Sequence, residues 1–436
     1  MMAEAGRGER NRRLATRPVV TGIGPIASSG VGNEEFWAGL LEAPQGPAPL
    51  HDPSSEGIPS PPFHLRRPSR ERVDEVLGGC GLLDLPDDPE LRLGAAAAAL
   101  ALADARIEGG GSDVGLVMTW EAPGMERLLR ALWSRLGSAA PADWSGAPEE
   151  VLGSFYDGLR DPVYASQSFI HLHLLSKALG IHGPSLFVNN ACASGLYALD
   201  AAAGLIESGK ARVVIVVAAE SPVFPGKHLW FTEAGLASRD GWLRPFDRDR
   251  SGLVLAEAAA ALVVEPLDGA LARGVRPHGE YLGGGFNQEG WKVTIPDFSR
   301  PWHEDVIRSA CARAQVETGS IDAVVAHGAG TGLSDAYEAK GITAVFGKRP
   351  GRPAVTSLKG HFGHALGASA LLETAALLLG LGKGTLPGTA GFRSEDPKLD
   401  LVPSTRAVSG PLARVLKVAN GFAGFNAAAV FERTPS

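Results

Sequence analysis

The stretch SLFVNNACASGLYALDAAAGLIESG, residues 185–209, passes from a short apolar segment through small residues into an alanine-rich segment free of proline. The apolar segment reads as a strand, and the Ala- and Leu-rich continuation reads as a helix that stops at glycine. Cys192 sits at the junction. Backbone N–H groups and the helix dipole at such a junction favour the thiolate, which is the reactive form of cysteine. The neighbours Ala191, Ala193, Ser194 and Gly195 permit a sharp turn and the close approach of a substrate. A buried, inert cysteine also fits this position, a common fate for the residue.

Working outward, the same strand–helix logic recurs. ARVVIVVAAES (211–221) reads as a fully buried strand, AAAALVVEP (258–266) as another, and LDGALARG as a helix closed by glycine. After Arg276 the order restarts. HGEYLGGGF, DAVVAHGAG and PAVTSLKG read as strands, with helices over WHEDVIRSACARAQV and LSDAYEAKGITAVFG between them. ASALLETAALLLGLG and RVLKVANGF…AAAVFE complete the set. Upstream, VVTGIG (19–24) and DVGLVMTW (113–120) read as strands, and LRLGAAAAALALADARI (91–107) as a helix. The proline-rich residues 44–70 read as a long surface loop. Residues 121–165, with Trp133, Trp144 and Tyr156, read as an irregular cover over a site or a subunit interface. Short all-apolar strands alternating with helices predict an α/β protein whose sheets are covered on both faces, internally duplicated. The expected divisions are a disordered leader over 1–16, one half over 17–270 and a second over 271–436.

The composition excludes several classes. Three cysteines in 436 residues make no disulfide framework, and no His/Cys cluster has metal-ligand spacing. A net charge of −7 argues against nucleic-acid binding; an acidic partner would need a local basic patch. No stretch reaches the roughly 18–20 uncharged apolar residues of a membrane span. The Arg-rich start lacks the apolar core of a signal peptide and reads as a disordered leader; the few cysteines fit a reducing cytoplasm.

Two further segments carry polar groups where site residues are usually mounted, at strand ends. His327 lies in the glycine-rich turn of AVVAHGAGTG, and TSLKGHFGHALGASALLETA holds Lys359, His361, His364 and Glu373. Taken singly, each also fits a solvated polar loop. Together, the order Cys…His-Gly-x-Gly-Thr…Lys-x-x-x-Gly-His resembles the β-ketoacyl synthase (condensing enzyme) family of the thiolase superfamily. VVTGIG, FDRDRSGLVLAEAAAALVVE and GFAGFN agree with it, so the likeness runs from about residue 17 to 433.

The resemblance implies a thiolase-like fold, two similar βα halves forming a five-layered α-β-α-β-α core, and a homodimer. It implies Cys192 as acyl-accepting nucleophile, His327 and His364 as the histidine pair, and Lys359 as their catalytic partner. Glu373, Asp335 and Glu338 match supporting positions. The backbone N–H groups of Cys192 and Phe422 match an oxyanion hole. Phe231, Asn190, Thr294, Thr331, Ala329 and Phe422 match substrate-binding positions. No metal or resident cofactor is implied, since the phosphopantetheine arm belongs to an acyl carrier protein substrate. The chain departs from the family pattern at Asn190, Trp291, Lys292, Ala329, Ala423 and Phe425, around the expected substrate tunnel. Its Ala-, Gly- and Arg-rich composition suits a GC-rich bacterial source and secondary, polyketide-type metabolism. Three activities follow from the resemblance. One is decarboxylative condensation of carrier-bound groups. Another is closure of the acyl-cysteine on itself by aldol, Claisen or lactone-forming attack. The last is a non-catalytic, chain-length-factor-type role.

Overall fold

The computed structural model describes residues 17–44, 46–58, 60–108, 110–138, 148–348 and 353–434. The expected leader over 1–16 and Trp144 lie outside the described residues. The first half contributes strands β1 (Pro18–Ala27), β2 (Val114–Thr119), β3 (Ser185–Phe187), β4 (Val213–Glu220) and β5 (Ala258–Pro266). They lie in the order β3-β2-β4-β5-β1, the first three parallel and β5 antiparallel to both neighbours. The second half contributes β6 (Gly279–Gln288), β7 (Ala323–Ala326), β8 (Ala354–Ser357), β9 (Arg414–Gly421) and β10 (Phe425–Glu432). Their order is β8-β7-β9-β10-β6, with the same sequence of parallel and antiparallel pairings. Each half thus places its first strand at one edge and its third at the other. The two first strands meet antiparallel, Val19 opposite Glu280 and Val20 opposite Gly279.

Helix packing explains the layers. Outer helix α1 (Pro89–Asp104) covers the first half's strands in a core with Leu116, Met118 and Val217. Helices α3 (Trp302–Arg313) and α4 (Gly332–Phe346) cover the second half's strands through Ile307, Ile342 and Val418. Between them lie α2 (Ser194–Glu207) and α5 (Ser369–Lys383), sharing one core with inward residues of both halves, such as Val216 and Val325. This is the α-β-α-β-α stack of the thiolase-like fold. A helix that meets apolar surface all round must itself be apolar all round, and every residue of α5 from Ser369 to Leu381 is buried. Among the described residues, only Leu366–Lys383 has the length and hydropathy of a membrane span, and 89% of it is buried inside the protein.

Two expectations need correction. Residues 44–70 are not one loop. Leu50–His51 and Phe63–Arg66 pair with each other, and Leu65 pairs with Leu255. Such short pairings leave no alternating pattern and are held by their tertiary partners. Residues 121–165 are not irregular, because helices span Met125–Ser138 and Pro148–Ala165. The spacing Met125, Leu128, Leu129, Leu132, Trp133 and Leu136 is a helical stripe that the surrounding glycines and prolines obscured. The expected strand at 185–187 is present as β3, a short edge strand with Leu186 40% exposed.

Where α2 begins it presses on α5. A Cβ at Gly195 would stand 2.4 Å from the backbone nitrogen of Leu371, whereas one at Gly204 in the same helix would meet nothing. Gly195→Ala is therefore expected to cost about 1–3 kcal/mol through overpacking. Gly204→Ala should be neutral or stabilising by about 1 kcal/mol through helix propensity. Thermal unfolding midpoints of the two variants check the contrast.

Candidate active site

Cys192 stands in a tight turn between β3 and α2. Ala191 takes a positive φ of 50°, a conformation L-residues rarely adopt. The turn is fixed by Ser194, whose hydroxyl accepts from the Asn190 N–H (2.7 Å) and donates to the Ala191 carbonyl (2.5 Å). The thiol is 6% exposed. The helix start was expected to favour its thiolate, but burial and the adjacent Glu121 carboxylate push the thiol well above its ordinary value, with Lys359 opposing them. The dipole of the helix end does not outweigh desolvation here.

His327 follows β7. Its N–H and that of Gly328 donate to Glu338 on α4, at 2.5 and 2.7 Å. The Gly330 N–H donates to Asp335 at 3.0 Å, and the Phe246 N–H to the same carboxylate at 2.7 Å. The two acidic residues fasten the His327 loop to α4. Burial raises Asp335 to about 6 and Glu338 to about 7, although these hydrogen bonds pull the other way.

Lys359 Nζ donates to Glu373 Oε1 (2.6 Å), to the His327 carbonyl (2.8 Å) and to His327 Nδ1 (3.2 Å). An ammonium can only donate, so neutral His327 accepts at Nδ1 and carries its hydrogen on Nε2. His364 is held in the same way. Its Nδ1 accepts from the Leu366 N–H (2.9 Å) and the Ser369 hydroxyl (3.1 Å), which again leaves the hydrogen on Nε2. The two rings lie 5.3 Å apart at 77°. Burial first and the Lys359 charge second drive both imidazoles well below the ordinary histidine value, so both are neutral at pH 7.

A cavity of about 560 Å³ brings Cys192, His327 and His364 together. Phe231, Phe422, Thr294, Thr331 and Ala329 line it as well. The rings of Phe231 and Phe422 stack at 5.8 Å. The backbone at Gly421 passes so close to Cys192 that an added Cβ would lie 3.0 Å from the Cys192 nitrogen, which sets the Phe422 turn beside the Cys192 N–H. Asn190 does not line the cavity; its backbone shapes the Cys192 turn instead. Among the described residues no cluster of potential metal ligands occurs.

Two residues at the site escaped the sequence reading. Lys417, fully buried on β9, lies 2.9 Å from Glu373 Oε2, so one carboxylate serves two ammonium groups. A lysine inside the apolar run RVLKVA was the available signal. Glu121, just past β2, has Oε1 3.8 Å from Cys192 Sγ. An acidic residue at the end of a buried strand was its only mark.

Comparison with known proteins agrees with this geometry. The β-ketoacyl synthase N-terminal domain model matches residues 16–270, and the C-terminal domain model matches residues 278–393. The chain is 31% identical over 96% of its length to the actinorhodin polyketide putative beta-ketoacyl synthase 1 of Streptomyces coelicolor, 88% of which is covered. It is 29% identical to the granaticin polyketide putative beta-ketoacyl synthase 1 of Streptomyces violaceoruber, over 96% of this chain and 99% of that one. The solved ishigamide ketosynthase/chain length factor superposes with a TM-score of 0.79 at 28% identity, covering 96% of this chain and 99% of that chain.

Glu373→Leu removes the carboxylate that both lysines share and leaves two buried charges uncompensated. The expected loss is about 3–5 kcal/mol, read as a lower urea midpoint. Adding Lys417→Met should recover part of it.

Proposed function

Because the chain belongs to the β-ketoacyl synthase family, we propose that it is an acyltransferase that loads an acyl group onto Cys192 and then forms a carbon–carbon bond. The observation that carries this reading is the convergence of one thiol and two Nε2–H imidazoles on a single cavity. The acyl group comes from a carrier-protein thioester, and the covalent intermediate splits one difficult step into two easier ones. The N–H groups of Cys192 and Phe422 receive the oxyanion of the tetrahedral intermediate. A malonyl thioester then loses carbon dioxide. The Nε2–H groups of His327 and His364 donate to the enolate oxygen as its charge develops. The carbanion attacks the acyl-Cys192 carbonyl, the C–S bond breaks, and the β-ketoacyl product leaves on the carrier.

Neutral imidazoles suit this task because they donate without neutralising the enolate by proton transfer. Lys359, 3.2 Å from His327 Nδ1, keeps that tautomer in place. Arg239 and Lys292 at the cavity give a locally basic lining in an acidic chain, suited to the phosphate of a carrier's pantetheine arm. The phosphopantetheine arm is substrate, and no resident cofactor enters the mechanism. In this reading the protein acts in the cytoplasm as a homodimer; a place in polyketide-type secondary metabolism is supported by the names of its relatives. The intact Cys192, His327 and His364 oppose a purely non-catalytic, chain-length-factor role.

Intact-protein mass spectrometry tests the reading. Incubation with acyl carrier protein should add the acyl mass to the wild type and not to Cys192→Ala; equal labelling of that variant rules the mechanism out. His327→Ala or His364→Ala should retain acylation but slow condensation by about 10²–10³-fold. Carbon dioxide release from a malonyl donor marks condensation, whereas a cyclised product without it assigns the alternative closure of the acyl-enzyme.

A further inference from the structure

The tautomers of the two histidines leave a proton unaccounted for. Acylation starts from a neutral Cys192 thiol, because the buried, carboxylate-flanked Sγ is held protonated. A base must take that proton as the sulfur attacks. Neither imidazole is arranged to do so: Nδ1 of His327 is filled by Lys359, Nδ1 of His364 by Leu366 and Ser369, and each Nε2 already bears hydrogen. Lys359, tied to Glu373, is a donor. Among the described residues, the acceptor at the sulfur is Oε1 of Glu121, at 3.8 Å.

Glu121 is placed there by three segments that meet behind the nucleophile. Its backbone N–H donates to Glu220 Oε1 at the end of β4 (2.6 Å), and its carbonyl accepts from Asn189 Nδ2 (2.8 Å). Asn189 in turn accepts the Ala191 N–H of the Cys192 turn (3.3 Å). Gly367, just past His364, packs so tightly that an added Cβ would lie 3.3 Å from the Glu121 nitrogen. The Glu121 carboxyl therefore rides on the same hydrogen-bonded frame as the thiol.

We propose that Glu121 is a catalytic residue of the acylation step, the base that takes the Cys192 proton and returns it to the departing carrier thiol. This rests on the acyl-Cys192 reading above. As the Sγ–carbonyl carbon bond forms, the thiol proton passes to the Glu121 carboxylate. As the carrier's C–S bond breaks, the carboxylic acid gives that proton to the leaving pantetheine sulfur. One thioester and one thiol are exchanged for another pair, and no other reactant is needed.

The electrostatic surroundings fit the role. Burial, followed by the Glu220 charge, raises Glu121 to about 7, with Lys227 and the Cys192 contact opposing. Lys227 lies 2.9 Å from Glu220. A base is most effective when it titrates near the working pH. The other charged groups acting on Cys192 are Lys359, which lowers its proton affinity, and Glu220, which raises it. The raised value means that Glu121 binds a proton below about pH 7 and accepts one above it, so acylation should rise with pH through that point.

The test compares wild type, Glu121→Gln, Glu121→Asp and Cys192→Ala with hexanoyl-N-acetylcysteamine as acyl donor, reading acyl-protein mass against time across the pH range. Wild type should show an inflection near 7. Glu121→Gln should acylate about 10²-fold more slowly and lose it, and Glu121→Asp should keep the inflection with partial rate. A Glu121→Gln enzyme that acylates at the wild-type rate with the same inflection overturns the proposal. If wild type takes no acyl group at Cys192, the acyl-enzyme reading itself fails. Alkylation of Cys192 by iodoacetamide then still decides Glu121: the proposal requires a wild-type inflection near 7 that Glu121→Gln lacks, and identical curves overturn it.

Discussion

One carboxylate fixes the chemistry of this protein. Glu373 lies fully buried on the central helix α5, between the ammonium groups of Lys359 at 2.6 Å and Lys417 at 2.9 Å. Burying an ion is costly unless its partners are close and its other hydrogen bonds are met. Lys359 satisfies this by donating to the His327 carbonyl and ring as well as to Glu373. A single network thus joins α5, strand β9, the Lys359 turn and the loop that carries His327. The network holds more positive charge than one carboxylate cancels. The excess faces the histidines.

That excess sets how the site divides its labour. Buried beside a cation, the imidazoles remain neutral and their Nδ1 atoms stay occupied, so each offers an Nε2–H donor at the cavity. Such preorganised donors act best where water is excluded, because they need no reorientation as the reaction proceeds. The same arrangement withdraws them from proton abstraction. Beside Cys192 a second group of charges, Glu121 with Glu220 and Lys227, carries a carboxylate with its pKa raised into the neutral range. The site thus holds both donors, at the histidines, and an acceptor, at Glu121.

The duplication supplies the frame for both. Each half repeats the same strand order, and the two central helices α2 and α5 pack in one core between the sheets. Gly195 allows their close approach at the point where the Cys192 turn enters α2. Cys192 from the first half and the two histidines from the second are thus brought to one cavity. The nearer of the two histidines in sequence to Cys192 is His327, far beyond the reach of any local periodicity.

The legible part of the fold was whatever carries a local signal. Buried strands such as VVIVVAAE, the apolar helix at 369–383 and the glycine turns around His327 announce themselves because period, length and punctuation are local properties. The order of Cys192, His327, Lys359 and His364 was legible too, through the spacing of a known family. The short pairings at Leu50–His51 and Phe63–Arg66 left no such trace, and the helical stripe from Met125 to Leu136 was hidden by its flanking breakers. Which charge meets which sulfur was beyond the sequence altogether. It could not reveal that Lys417 shares Glu373, that Asn190 shapes the turn instead of lining the cavity, or that Glu121 lies against Cys192. The sequence by itself determined the elements and the chemical types they carry, because both follow from neighbouring residues. Only the tertiary structure decided tautomers, proton affinities and partners, because these depend on burial and on groups brought together from distant parts of the chain.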